Sequence, residues 1–266
     1  MQKLSRAEKR LQKQHKKSDD NTNKSVYSLK LREISPKTTN QERVFKDFTN
    51  GKNLLIHGLP GTGKSFISLY LALREIEQYK SYQNITIIRS VVPSRDMGFL
   101  PGSIIEKSRI YEMPYEAICI ELYGRGDAYG ILKNKNIIDF QTSSFLRGIT
   151  LSNTIVIVDE CQNMTYQELS TIITRVGSNS KIIFCGDYRQ TDLKYDNERS
   201  GVLYFMKILG TMNKYFSCIE FDEEDIVRSG LVKDFIIKKS RFDYDSFLKA
   251  ELRETSFTQS EVVQPH

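Results

Sequence analysis

Residues 53–65 read Asn-Leu-Leu-Ile-His-Gly-Leu-Pro-Gly-Thr-Gly-Lys-Ser, and this stretch decides the fold. Residues 53–57 form a short apolar run suited to a buried strand. Gly58, Leu59, Pro60, Gly61, Thr62, Gly63, Lys64 and Ser65 then match the phosphate-loop pattern G-x-x-x-x-G-K-[ST] in full. Behind them Phe66, Leu69, Tyr70, Leu73 and Ile76 recur at helical spacing. The glycines let the turn bend tightly and aim backbone N–H groups at phosphate oxygens. The helix start adds unpaired N–H groups and the positive end of its dipole. Lys64 is then placed for β- and γ-phosphates, and the Ser65 hydroxyl for a magnesium ion. The alternative is a glycine-rich turn with an incidental lysine. The flanking strand and helix count against it.

Further apolar runs lie at 84–88, 154–158 and 181–185, with a weaker one at 217–221. They are rich in β-branched residues and lack polar alternation, as parallel strands covered on both faces do. Helical patterns occupy 200–212 and 228–238. This alternation predicts an α/β chain: a three-layer P-loop NTPase with a mainly parallel sheet. Residues 95–136 are mixed, rich in Gly and Tyr, and give no clear pattern.

Ile155-Val156-Ile157-Val158-Asp159-Glu160 is a buried strand ending in two acids. Open α/β sheets bind ligands at the carboxyl ends of their strands, so Asp159 is placed to hold magnesium through its water shell. Glu160 points elsewhere and is placed to orient and deprotonate an attacking water. Two solvated acids at a strand end would be the plain alternative. A glutamate in this position favours hydrolysis over a small-molecule kinase, whose acceptor is not water. Thr165-Tyr166-Gln167-Glu168 is a capping box, with Met164 and Leu169 as its hydrophobic staple. It predicts a helix over about 166–176 ending at Gly177. After the run 181–185 comes Gly186-Asp187-Tyr188-Arg189-Gln190, where Gln190 is the candidate sensor of the γ-phosphate.

The chain has 266 residues and a formal net charge of +6. Residues 1–24 hold eight Lys/Arg and three Asp/Glu, whereas the remaining residues hold 31 and 30. The excess therefore sits in a tail (Lys3, Arg6, Lys9, Arg10, Lys13, Lys16, Lys17), read either as a phosphate-contacting arm or as a solvated one. The expected organisation is a basic tail at 1–25, one NTPase domain at 26–242, and a C-terminal helix with a frayed end at 243–266. Four cysteines, Cys119, Cys161, Cys185 and Cys218, lie far apart without a C-x-x-C pair, which suits a reducing compartment. No apolar run approaches the roughly 18 residues of a membrane span, and no secretory signal is legible. A cytoplasmic location is expected, the host's if the chain is phage-encoded.

GLPGTGKS (58–65), MGFLPGS (97–103), FLRGITL (145–151), DECQN (159–163), TRVGSNSK (174–181), GDYRQTDL (186–193), SGV (200–202) and EDIVRSG (224–230) together resemble the PhoH family. The resemblance runs over about residues 36–240, and the form of 87–102 is similar to versions common in tailed phages. Members are called phosphate-starvation-inducible ATPases, and the domain resembles the RecA-like core of superfamily 1 helicases. The resemblance implies ATP and Mg2+ as cofactors, with Cys161 standing where alanine is more usual. It implies that Gln41, in SPKTTNQ (35–41), reads adenine; a capping or surface role stays open. Arg228 matches a late helicase-type arginine, while Arg89, Arg147 and Arg175 lie in family blocks without assigned roles. Neither the PIN nuclease nor the longer RNA-binding region of some members is expected to carry over.

Such helicases complete their site with a second RecA-like domain, and only one fits here. An arginine finger must then come from a neighbouring subunit or from within the domain, and the expectation is a homo-oligomeric ring, a hexamer, with Arg228 acting in trans. Two functions follow: an ATP-driven helicase or translocase on RNA or single-stranded nucleic acid, or an ATP-dependent switch acting on a protein partner such as an RNase or ribosome factor.

Overall fold

Each apolar run becomes a strand, because a parallel strand covered on both faces has no side chain to spare for water. The computed structural model describes residues 29–90, 104–143, 146, 148–188 and 196–243. Its strands are β1 (Asn53–Gly58), β2 (Asn84–Arg89), β3 (Ile138–Thr142), β4 (Thr154–Asp159), β5 (Lys181–Gly186) and β6 (Phe216–Phe221). They form one sheet in the order β3-β2-β4-β5-β1-β6, with every pairing parallel. The helices are α1 (Thr39–Thr49), α2 (Lys64–Arg74, followed by a π-helical turn Glu75–Tyr79), α3 (Ile104–Tyr123), α4 (Ala128–Asn134), α5 (Tyr166–Thr174), α6 (Asp196–Thr211) and α7 (230–243). None of these is long and apolar enough to cross a membrane.

Strand alternation splits the core in two. Leu54, Ile56, Ile85, Ile87, Ile157 and Cys185 face one way, onto α1 to α4. Leu55, Ile88, Val156, Val158 and Phe184 face the other way, onto α5 and α6. Helices therefore cover both faces, as the three-layer expectation requires. β4 and β5 are buried along their whole length. At roughly 1.5–3 kcal/mol for each fully buried large apolar side chain, these two strands anchor the register of the others.

The phosphate loop follows β1, the paired acids follow β4, and β5 runs between those strands. Pairing of Val158 with Phe184 and of His57 with Gly186 brings the three strand tips to one edge. α5 is held as expected: Thr165 accepts from the Glu168 backbone, and the Glu168 carboxylate returns to the Thr165 backbone. Met164 and Leu169 are both buried beneath it.

The structure departs from expectation in four places. Gly177 does not end α5 in a left-handed turn. Arg175 is the C-cap, and Gly177 N instead donates to Leu151 O at 2.7 Å, tying the helix exit to the segment before β4. α1 was not expected, since only Val44 and Phe48 of its apolar side chains are fully buried. β3 was not expected either; it is an edge strand with three half-buried central residues. α3 and α4 fill most of the unreadable 95–136 segment. Pro114 lies inside α3, and Met113 and Ile120 are exposed there, which blurs the helical period. The tail at 1–25, Arg147, Gln190 and residues 244–266 lie outside the described residues.

Candidate nucleotide site

Lys64 opens α2 behind Gly63, which caps the helix with a φ of 85°. Its Nζ donates to the carbonyl oxygens of Gly58 and Leu59, each at 2.8 Å. Burial pulls its pKa below the usual lysine value, while Asp187, Cys185, Glu160 and Asp159 pull the other way. Thr62 is buried within the loop and braces it, its hydroxyl donating to Leu59 O at 2.9 Å.

One residue further, Ser65 Oγ donates to Asp159 Oδ1 at 2.9 Å. The two groups lie 94 residues apart in sequence, and sheet order alone brings them together. The other carboxylate oxygen, Oδ2, accepts from the Tyr115 phenol at 2.8 Å. Burial, and then the Asp159 charge, push that phenol well above its ordinary pKa. A hydroxyl and a carboxylate oxygen at hydrogen-bond distance, beside the phosphate lysine, are hard ligands of the kind magnesium takes. The residues present fit that ion.

Glu160 has a φ of 53°, a left-handed conformation uncommon for a residue with a side chain. It turns the chain out of β4 into the short 3-10 turn Cys161–Asn163. Its Oε2 accepts from Gln162 Nε2 at 2.6 Å, and Gln162 Oε1 accepts from Asp187 N at 3.0 Å. Gln162 thus links the carboxylate after β4 to the loop after β5. Glycine at 186 permits this approach, because a Cβ there would lie 2.7 Å from Gln162 Oε1.

On the opposite flank, Gln41 is buried in the first turn of α1. Its Nε2 donates to Thr62 O at 3.0 Å, and its Oε1 accepts from Lys37 N at 2.7 Å. Val227 N donates to Gly61 O at 3.1 Å. Arg228 lies over the same glycine, its Cγ 2.8 Å from where a Cβ on Gly61 would be. Arg228 therefore lies against the phosphate loop of its own chain. Only this chain's return past β6 after Phe221 brings it there; Leu59 N also donates to Phe221 O at 3.1 Å.

Pro60, Gly61, Lys64, Glu160, Asp187 and Arg228 are among the residues lining one open cleft of about 1010 Å³, room enough for a nucleoside triphosphate. Ser65, Asp159 and Gln41 line it too. Arg89 pairs in register with Asp159 and lies over the Tyr111 ring at 5.7 Å. Arg175 caps α5 and is scaffold, its carbonyl accepting from Leu151 N at 2.8 Å. The sequence reading did not single out Tyr115, Gln162 or Asp225 as site residues. Gln162 sits within the DECQN block and Asp225 within EDIVRSG, whereas nothing in the sequence marks Tyr115.

A strand, a complete phosphate loop, a helix and a second acid-tipped strand in an all-parallel sheet define a P-loop NTPase. The family described as PhoH-like protein matches residues 33–238, and the chain belongs to it. A PhoH-like protein of Mycobacterium tuberculosis (strain ATCC 25618 / H37Rv) is 31% identical over 224 residues, covering 82% of this chain and 61% of that one. A PhoH-like protein of Bacillus subtilis (strain 168) is 32% identical over 187 residues, covering 70% and 58%. The chain thus spans about 60% of the length of these curated relatives. Among solved structures, the large terminase of a thermophilic bacteriophage aligns with a TM-score of 0.47 at 14% identity, covering 75% of this chain and 49% of that one. The Pif1 helicase of Candida albicans aligns with a TM-score of 0.34 at 17% identity, covering 70% and 40%.

Proposed function

We propose that the chain is a Mg-dependent ATPase whose hydrolysis is coupled to RNA or another single-stranded nucleic acid, as in a helicase or translocase. The observation that carries the hydrolytic part is the 2.9 Å contact between Ser65 and Asp159, with Glu160 next in the chain and tethered by Gln162. Lys64 exchanges the carbonyls of Gly58 and Leu59 for β- and γ-phosphate oxygens as nucleotide enters. Magnesium, when bound through Ser65 and Asp159, supplies neutralisation of charge on those oxygens. Glu160 orients the attacking water and accepts its proton. Arg228, already on the loop in cis, stabilises the charge that grows on the γ-phosphate. Gln41 spends one N–H and one lone pair on Thr62 and Lys37. One of each remains for N7 and N6 of adenine. Gln190 keeps its role as γ-phosphate sensor in this reading, with Gln162 as the relay between its loop and the base.

A second reading, an ATP-dependent switch acting on a protein partner such as an RNase or ribosome factor, has its own support. Leu231, Phe235 and Phe242 on α7 are 83%, 65% and 73% exposed, and their spacing puts them on one helix face. Exposed apolar surface of this kind suits a protein better than a phosphate backbone. The same stripe offers a surface for the homo-oligomeric ring. Four free thiols suit a cytoplasmic setting.

ATPase rate with and without single-stranded RNA, over a salt series, tests the choice. Stimulation that fades as salt rises supports coupling to nucleic acid, since phosphate contacts release counterions. No stimulation at any salt, together with a stoichiometric protein partner that accelerates turnover, replaces it with the switch.

A further inference from the structure

The two flanks of the nucleotide cleft come from opposite ends of the domain, and one buried carboxylate joins them. Asp225 is 2% exposed. Its Oδ1 accepts from the Thr38 hydroxyl; its Oδ2 accepts from Asn40 Nδ2 at 2.8 Å and from Asp222 N at 3.0 Å. Thr38 and Asn40 lie 187 and 185 residues earlier in the chain. Thr38 is also the N-cap of α1, its Oγ1 accepting from Gln41 N at 3.3 Å. A single hydroxyl thus donates to Asp225 and orients the turn that carries Gln41.

What each flank does next is the informative part. Gln41 reaches the carbonyl of Thr62, and Val227, two residues beyond Asp225, reaches the carbonyl of Gly61. Consecutive carbonyls of the phosphate loop are therefore gripped from two sides, and Asp225 holds the two grips together. Stability alone is a poor reason for this arrangement. A carboxylate taken out of water is unfavourable until its hydrogen bonds offset the lost hydration, and an apolar contact would fasten two segments as well. Directional bonds to three donors, in contrast, set orientation as well as proximity.

We propose that Asp225 is a positioning residue that locks α1 and the Arg228 segment to each other across the phosphate loop, so that base and phosphate are contacted from one rigid edge. This rests on the roles given above to Gln41 and Arg228. Loss of the lock loosens both contacts at once and leaves the magnesium side untouched, because Ser65, Asp159 and Tyr115 share no bond with it.

Asp225→Asn and Asn40→Ala test it through steady-state kinetics with ATP and with GTP and through a magnesium titration of fluorescent nucleotide binding. Asp225→Asn is expected to raise KM for ATP about tenfold, narrow the preference for ATP over GTP, and lower kcat severalfold. Asn40→Ala, which removes one bond of three from a half-buried side chain, moves the same quantities in the same direction by about threefold. The magnesium dependence stays where it is in both. A lowered melting temperature with unchanged KM, kcat and base preference overturns the proposal, and Asn40→Ala decides alone if Asp225→Asn does not fold. Gln41→Ala and Arg228→Ala separate the two layers. If they alter KM and kcat while the Asp225 and Asn40 variants do not, the roles stand and the lock falls. If they alter nothing, both fall together.

Discussion

The Ser65–Asp159 side of the cleft is built by the sheet, whereas the Gln41–Arg228 side is built by straps. Asp159 ends a strand buried at every position, and the neighbouring β5 is equally buried. Its two carboxylate oxygens are then fixed by Ser65 and Tyr115. Gln41 and Arg228, in contrast, stand on segments outside the sheet, held by a short set of polar bonds through Thr38, Asn40 and Asp225. The first arrangement resists movement because displacing a strand tip exposes core. The second is held by directional bonds between side chains, with Val44 and Phe48 of α1 in the core behind Gln41.

Four substitutions sharpen that contrast. Glu160→Gln removes the base but keeps the shape of the rigid side. It is expected to bind ATP normally and turn it over about 10²–10⁴-fold more slowly, measured by phosphate release beside equilibrium binding. Normal turnover would remove Glu160 from its role. Gln162→Ala cuts the tether between Glu160 and Asp187 and lowers kcat about tenfold with KM little changed, the cost of one well-placed hydrogen bond to a charged group. An equal loss in KM would assign Gln162 to binding instead. Tyr115→Phe frees one oxygen of Asp159. The magnesium concentration for half-maximal nucleotide binding should rise about threefold to tenfold, with binding in the absence of the metal unaltered. Thr165→Ala is the smallest change and a control on scaffold. It removes the cap of α5 at ~1 kcal/mol, read as a lower melting temperature with kcat preserved.

Legibility in the sequence follows the same division. The phosphate loop, the acids at 159 and 160, and the strands beneath them were readable because buried parallel strands write themselves as continuous apolar runs. The capping box of α5 was readable because both of its bonds are local. α1 was missed although Gln41 was noticed, since only Val44 and Phe48 mark its buried side. β3 was missed because an edge strand with Asp139 and Gln141 half exposed carries no apolar run. α3 was missed because Pro114 reads as a break, and the helix runs through it.

By itself the sequence determined the class of fold and the position of the phosphate loop, both of which depend on spacings of a few residues. Tertiary structure alone decided that Tyr115 holds Asp159, that Gln162 spans two strand tips, and that Arg228 returns to its own chain's loop. Each of those is a contact between residues far apart along the chain or between turns whose relative placement is set by sheet order. Local periodicity carries no record of such distances. The order β4-β5-β1 converts a separation of 94 residues into a single hydrogen bond between Ser65 and Asp159.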